Sequence, residues 1–287
     1  MSDANHKLRK SAPILGSVAL HIALLAAAIL ALGPFAWMLC AAFKQPEDVF
    51  RVPLLPWDHL GDLTLANFRK LFDTTPFGRW VLNSLFVASL QTALVVTFSA
   101  LGGFALAKYR FVGKKLLMAL MLLTMLLPGL ILLPGGYLLM YDLGWIDSYA
   151  AIIVPGSVSV FGILLFRQAM LGMPDDLLHA GRVDGCSELR IWWEIALPVV
   201  RPMLGAYTLL SFLAAWNSYL WPQIMLQDQT RYTLPLGLAG MLSLPEYQTQ
   251  YGVLMAGTLL SVLPVMVLFF ALQKDFISGL ASGAVKG

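Results

Sequence analysis

The sequence predicts an all-α membrane protein: six transmembrane helices and a helical hairpin on the cytoplasmic side. Three observations carry this. Of 287 residues, 59% are hydrophobic and only 12% charged, against about 25% charged in a typical soluble domain. Six long runs contain no Asp, Glu, Lys or Arg, and each is close to or above the roughly 20 residues that cross about 30 Å of hydrocarbon. Between the fourth and fifth runs lies one polar stretch, residues 172–204, with the punctuation of two short helices around a glycine.

Residues 1–13 form a basic N-terminus, with Lys7, Arg9 and Lys10. The first span is expected at about 14–42, bent near Pro34. It is longer than the ~7–15-residue core of a signal peptide, so it is expected to be retained. Residues 44–79 form an extramembrane loop, and Leu65, Phe68, Leu71 and Phe72 lie on one side of a short helix. That helix either lies at the membrane surface or packs on its own protein. The second span, about 80–107, carries Asn83, Ser84, Gln91, Thr92, Thr97 and Ser99. Polar groups at this depth bond across helices or face a cavity.

The third span, about 116–140, is broken by Pro128, Pro134 and Gly135-Gly136. The fourth is expected at 148–166, the fifth at 202–226 and the sixth at 250–273. The apolar piece 232–245 is too short and too rich in proline to span. Residues 276–287 are expected as a tail. Together the spans make a six-span membrane domain over 14–275, with no soluble domain and no internal repeat.

Orientation follows from charge. The N-terminus, residues 108–115, residues 167–201 and residues 274–287 hold 13 of the 19 Lys and Arg residues. Residues 108–115 hold four bases, whereas the short link 142–147 has none. Basic loops stay on the cytoplasmic side, so both termini and the hairpin are expected there. The spans contain no Asp, Glu, Lys or Arg, and His21 is their one histidine, which argues against an ATPase-independent secondary transporter or an intramembrane enzyme. There is no phosphate-binding G-x-x-x-x-G-K-[ST] motif. The four histidines show no metal-ligand spacing, and Cys40 and Cys186 are expected near opposite faces, so no disulfide is expected. No catalytic residue, cofactor, metal or nucleic-acid partner is expected.

In the hairpin, Pro174 suits a helix start, and Asp175 and Asp176 suit its first turn. Gly185 suits a left-handed stop, and Ser187 suits the next N-cap. Leu189, Trp192, Trp193, Ala196 and Leu197 then form an apolar stripe of helical period, ended by Pro198 and Pro202. Such an element can pack under its own bundle, anchor to lipid, or dock a cytoplasmic partner. Acidic residues outnumber basic ones, against the lipid reading. Ala180 and Gly181, small enough for close backbone approach, point to docking.

The hairpin resembles the cytoplasmic signature loop of ABC-importer permease subunits. That loop reads Glu-Ala-Ala, three residues, Gly, nine residues, an aliphatic, one residue, Leu-Pro. Here Ala180-Gly181 stand for the Ala pair, Gly185 is the Gly, and Ile195, Leu197 and Pro198 close the motif. The sugar-importer version, E-A-A-R-[IV]-D-G-A-S-E, is matched by HAGRVDGCSE at Arg182, Val183, Asp184, Gly185, Ser187 and Glu188. The end, SGLASGAVKG, resembles the G-x-x-x-G-A-V-K-G terminus of maltose-type permeases. Asn217 and Trp221, and the pair Asn83-Ser84, match further family patterns.

The resemblance implies the type I importer permease fold and a non-catalytic transport subunit. It implies coupling to a separate ATPase dimer through Asp175, His179, Ala180, Gly181, Arg182, Asp184, Gly185, Leu197 and Pro198. A second contact is implied through Gly283, Lys286 and Gly287 of the tail. The other partners implied are a second homologous permease, an extracytoplasmic solute-binding protein, a sugar and the membrane lipid. One departure stands out: His179 occupies the position of the signature Glu. For the solute path, Asn83, Gln91, Trp216, Asn217 and Tyr219 are candidates, since aromatic faces and amides suit a sugar. The same aromatics equally suit interfacial belts or packing. A permease for a peptide, amino acid or phosphorylated polyol is the rival.

Overall fold

The computed structural model describes residues 2–45, 48–50, 63–243 and 250–284. Among the described residues every regular element is helical. The chain divides into two compact units, residues 1–75 with 241–260 and residues 76–240 with 261–287.

In the first unit, α1 (Ser2–Phe43) is one helix of 42 residues. Pro34 does not interrupt it. In an apolar setting a helix must satisfy its own backbone, which holds it together through a single missing N–H. The side chains of Val18 and of residues 20–35, such as Leu25 and Leu30, are exposed, as on a helix that faces lipid. Then α2 (Ala66–Thr74) packs on its own protein. The fully buried Asn67 donates Nδ2 to the carbonyls of Ala42 at 3.0 Å and Lys44 at 2.7 Å, capping the end of α1. Leu71 is fully buried, but Leu65 and Phe72 are exposed. The expected one-sided face is therefore split, because Asn67, a polar residue, takes the central packing position.

The second unit is built on α3 (Phe77–Lys108), 32 residues long. After it come α4 (Lys114–Met125), a 3-10 turn (Gly129–Leu132) and α5 (Leu133–Asp142). The third run is thus broken where Pro128 stands, and its halves diverge by 96°. Pro134 causes no second break, since it falls in the first turn of α5, where its missing N–H has no intrahelical partner.

The fourth run is not one helix. It consists of α6 (Ala150–Ile153), a 3-10 turn (Pro155–Ser157) and α7 (Val160–Leu171). Ser159 restarts the helix by accepting from Gly162 N–H at 3.2 Å. The hairpin comes next, as α8 (Asp175–Val183), α9 (Glu188–Ile191), a π-helical turn (Trp192–Ala196) and α10 (Leu197–Val199).

The fifth run is also divided. Helix α11 (Arg201–Trp216) ends at Asn217, and the chain restarts as α12 (Leu220–Met225), with Pro222 inside it. The 16 residues of α11 make it shorter than the roughly 20 residues of a straight span. Next is α13 (Leu234–Ser243), in the apolar piece that is too short to span. Last is α14 (Tyr251–Ala284), which passes Pro264 unbroken. The expected tail from 276 is therefore helical as far as Ala284, so Gly283 lies in α14, while Lys286 and Gly287 lie outside the described residues.

Among the described residues, four segments are long and apolar enough to cross a membrane: 16–43, 77–108, 150–171 and 251–274. The count reaches six only if two bent pairs are each one span. These are α4 with 129–142, and 188–199 with α11, the latter bent by 87°.

Helix α3 packs against α7 and α11. Small residues allow the close crossing: a Cβ on Gly103 would lie 2.5 Å from Phe166 Cβ and 2.7 Å from Arg167 N. A Cβ on Gly162 would collide with Tyr207 Oη and Ser99 Oγ. The buried core runs from Val95, Ala100 and Phe104 through Phe166, Met170 and Tyr207. It continues without interruption into the hairpin through Leu178, Ile191, Trp192, Ala196 and Leu197.

Candidate functional site

The hairpin is shaped by local rules. Helix α8 carries Asp175 and Asp176 in its first turn, where negative charge meets free N–H groups and the positive end of the helix dipole. Pro174 stands one residue before the helix rather than in it. Gly185 takes φ 77°, a conformation that glycine adopts without the steric cost a Cβ brings. Gly185 N–H donates to Arg182 O at 3.1 Å and Cys186 N–H to Gly181 O at 2.9 Å, the paired closure of a Schellman stop. Ser187 then caps α9, accepting from Arg190 N–H at 3.4 Å.

One face of the hairpin is buried and the other is bare. Leu178, Ile191, Trp192, Ala196 and Leu197 belong to the bundle core, whereas Val183, Leu189 and Trp193 are 87%, 69% and 65% exposed. The stripe expected from Leu189 to Leu197 is therefore divided between two faces. A π turn over Trp192–Ala196 lies within this stripe. Such a turn inserts one extra residue and rotates the helix before it relative to the helix after it. Pro198 lies just beyond; its missing N–H leaves the Glu194 carbonyl without an α-helical partner.

Of the residues expected to meet a partner, His179, Ala180, Arg182, Asp184, Gly185 and Pro198 are exposed. Two face inward instead. Gly181 is buried, and a Cβ there would lie 2.8 Å from Ile195 Cδ1. Its smallness serves the closure of the hairpin on itself. Leu197 is part of the core.

Charged groups fasten the hairpin to α3. Lys108, whose side chain is 5% exposed, donates Nζ to Met173 O at 2.6 Å and to Asp175 Oδ1 at 2.6 Å. Tyr109 Oη donates to Glu188, which also receives Arg182 Nε at 2.7 Å and Nη2 at 3.2 Å. The Lys108 ammonium holds the Asp175 carboxyl below the usual carboxylate range. Arg182, and then Tyr109, do the same for Glu188. Burial, and then the hydrogen bond to Glu188, raise the Tyr109 phenol above its ordinary value.

Beside the middle of α3, a cavity of about 400 Å³ is lined by Gln91, Gly136, Pro155, Gly156, Ser218 and Trp221 among others. Gln91 Nε2 lies 3.4 Å from Gly156 O. Trp221 donates Nε1 to Ala151 O at 2.8 Å, and Gly136 leaves room for its ring. Of the five residues expected on a solute path, only Gln91 lines this cavity. Asn83 spends its amide on Thr230 O at 3.0 Å and Tyr232 O at 2.9 Å. Trp216 is buried and stacked on Phe212, with centroids 5.7 Å apart. Asn217 turns back to Leu213 O at 2.9 Å, and Tyr219 is exposed outside the cavity lining.

No pattern in the sequence marks Ser218 and Gly156 as cavity residues. The grip of Lys108 and Tyr109 on the hairpin is likewise absent from the sequence reading. Its one signal is the basic KYR at the end of an apolar run, which by itself speaks only for topology.

Comparison with known proteins agrees with this architecture. The family described as "Binding-protein-dependent transport system inner membrane component" matches residues 96–280. The arabinooligosaccharides transport system permease protein AraQ of Halalkalibacterium halodurans is 35% identical over 280 residues, covering 97% of this chain and 99% of that protein. The sn-glycerol-3-phosphate transport system permease protein UgpE of Yersinia pestis is 32% identical over 266 residues, covering 91% of this chain and 94% of that protein. The fold also matches a chain of a bacterial ABC transporter involved in the import of the acidic polysaccharide alginate. That match has a TM-score of 0.81 at 24% identity and covers 93% of this chain and 98% of that one. Over residues 96–280 for the family, and nearly end to end against AraQ, the chain belongs to the family of inner-membrane components of binding-protein-dependent transport systems.

Proposed function

We propose that the chain is the permease subunit of an ATP-driven importer that moves a sugar or oligosaccharide across the cytoplasmic membrane by alternating access. The observation that carries this reading is the hairpin, firm on one face and bare on the other. Its exposed tip presents Val183 and Leu189 beside Asp184, His179 and Ala180. Exposed apolar groups rimmed by polar ones mark a docking surface. Its occupant is a separate ATPase dimer, on which this chain relies for hydrolysis.

In this reading the hairpin and both termini are cytoplasmic, in agreement with the excess of Lys and Arg on those segments. A homologous second permease completes the path, and an extracytoplasmic solute-binding protein delivers the solute. The tail, through Gly283, Lys286 and Gly287, adds a second ATPase contact. Asp175, Gly181 and Leu197 set the shape of the hairpin, while His179, Ala180, Arg182, Asp184 and Pro198 offer contacts. His179 presents a hydrogen-bond donor where a carboxylate is usual, so it pairs with an acceptor on the ATPase. The cavity at Gln91 and Trp221 combines an amide with an aromatic face, the chemistry that suits a sugar.

A second reading, transport of a phosphorylated polyol, is favoured by the similarity to UgpE. Uptake assays with labelled arabinooligosaccharides and with sn-glycerol-3-phosphate separate the two.

The test of the main reading is purification of the tagged chain from its native membrane in mild detergent. An ABC ATPase is expected to co-purify, and its absence sinks the reading. Gly185→Pro cannot adopt the left-handed conformation that Gly185 takes, because the proline ring locks φ on the negative side. It is expected to abolish transport while the chain still inserts; normal transport in that variant excludes docking through this hairpin.

A further inference from the structure

The polar groups at the two ends of α3 are not used by the hairpin-docking reading, yet they form one connected set. At its C-terminal end, consecutive residues hold both arms of the hairpin. Lys108 binds the start of α8 through Met173 O and Asp175, and Tyr109 binds the start of α9 through Glu188. At its N-terminal end, three side chains hold one loop. Trp80 Nε1 donates to Gln229 O at 2.9 Å, Asn83 Nδ2 donates to Thr230 O and Tyr232 O, and Ser84 Oγ accepts from Leu234 N–H at 2.7 Å.

That loop is itself stiff. Asp147, at φ 58°, accepts from the N–H groups of Gln227 at 2.9 Å and Asp228 at 3.1 Å through Oδ1. Its Oδ2 receives Arg231 Nη1 at 3.1 Å. Between the two anchorages runs an unbroken helix of 32 residues, long enough by itself to cross the hydrocarbon of a bilayer. Unlike α4–α5, α6–α7 and α11–α12, it has no proline, no 3-10 turn and no π turn.

We infer that α3 is a tie-rod joining the hairpin to loop 229–234 at the opposite end of the unit, with Lys108 and Ser84 as its positioning residues. The inference rests on the docking reading for what the hairpin meets. It goes beyond that reading in naming a second mechanical link, besides the covalent one into α11. A displacement of the hairpin moves the loop, and a partner that clamps the loop biases the hairpin. This coupling must be reciprocal. The helix transmits it because both ends are fixed by directional bonds rather than by apolar contact alone. Helices broken at Pro128 or at Asn217 would absorb the same displacement in their bends.

The test uses the full transporter in proteoliposomes and reads solute moved per ATP hydrolysed. Lys108→Met keeps the stem and removes both Lys108 bonds to the hairpin, leaving the Tyr109–Glu188 bond; Ser84→Ala removes the acceptor at the far end, leaving the bonds of Trp80 and Asn83. Each is expected to lower the ratio by about fivefold, the lower end of ordinary allosteric coupling. The double variant is expected to fall no further than the worse single, because both cut one rod. Lys108→Arg, which keeps the charge and the donors, recovers part of the loss. An unchanged ratio in either single variant, or losses that multiply in the double, overturns the tie-rod.

If the wild-type chain binds no ATPase, the docking reading fails by itself, and the rod is read in the isolated chain by amide hydrogen exchange. Ser84→Ala is then expected to speed exchange across residues 175–191, far from the substitution. Exchange there that matches wild type overturns the inference.

Discussion

Glu188 shows how a single residue organises the site. It receives Arg182 from its own hairpin and Tyr109 from the end of α3. With Asp175 on Lys108 it makes two carboxylates whose folded pKa values lie below the ordinary range. Their contribution to holding the hairpin is therefore complete above about pH 4, the unfolded carboxylate value, and is lost as pH falls further through the depressed folded values. Hydrogen exchange of hairpin amides, corrected for intrinsic rate, is expected to be flat from pH 7 to pH 5 and to rise only below about pH 4. A rise already present at pH 6 would exclude these two carboxylates as its cause. At this scale the sequence is a good guide where conformation is local. Gly185 and Ser187 occupy the roles that their chemistry predicts. Gly181 does not face a partner as its smallness suggests, since smallness in a sequence does not say which neighbour needs the space. Ile191 and Ile195 are those neighbours.

At the scale of elements, two features decide how the second unit packs. The first is the α3–α7–α11 crossing, where Gly162 meets Ser99 and the Tyr207 hydroxyl. Gly162→Ala forces a methyl into that contact, and overpacking of this kind costs about 1–3 kcal/mol. The melting temperature in detergent is expected to fall. Tyr207→Phe on the same background, which removes the hydroxyl, is expected to restore part of it. If the double variant melts no higher than Gly162→Ala, the crossing is not limited by that contact. The second feature is the π turn over Trp192–Ala196. Helical periodicity correctly marks the segment as amphipathic, but it assumes a regular α-helical turn throughout. In that turn Trp193 stands at the surface and Trp192 inside. The same assumption joins α6 to α7 and α11 to α12, where Ser159 and Asn217 in fact interrupt the helix. Apolar runs report where the chain avoids water, and a bent chain avoids it as well as a straight one.

At the scale of the whole molecule, solute passage requires groups from several elements to meet. Gln91 from α3, Gly156 from the turn before α7, and Ser218 and Trp221 from around α12 do so in the cavity of about 400 Å³. Gln91→Leu keeps the volume and removes the amide. It is expected to raise the solute concentration for half-maximal uptake by about tenfold, the loss of roughly one hydrogen bond to substrate. Capture of the ATPase should stay unchanged. Uptake with wild-type concentration dependence would remove the cavity from the path. Asn83, Trp216 and Asn217 share the second- and fifth-run patterns that make them candidates, but each has its polar atom or ring engaged within the chain.

Membrane class, the six apolar runs, family membership and the punctuation of the hairpin are all legible along the chain. They depend on composition, on the placement of charge, and on residues whose backbone preferences act within four or five positions. Which runs are straight, which face of the hairpin is free, and the hold of α3 on the hairpin at one end and a loop at the other emerge only on folding. Those outcomes depend on pairs such as Lys108 with Asp175 and Ser84 with Leu234, 67 and 150 positions apart. No local pattern records a hydrogen bond whose two halves meet only after the helices have packed.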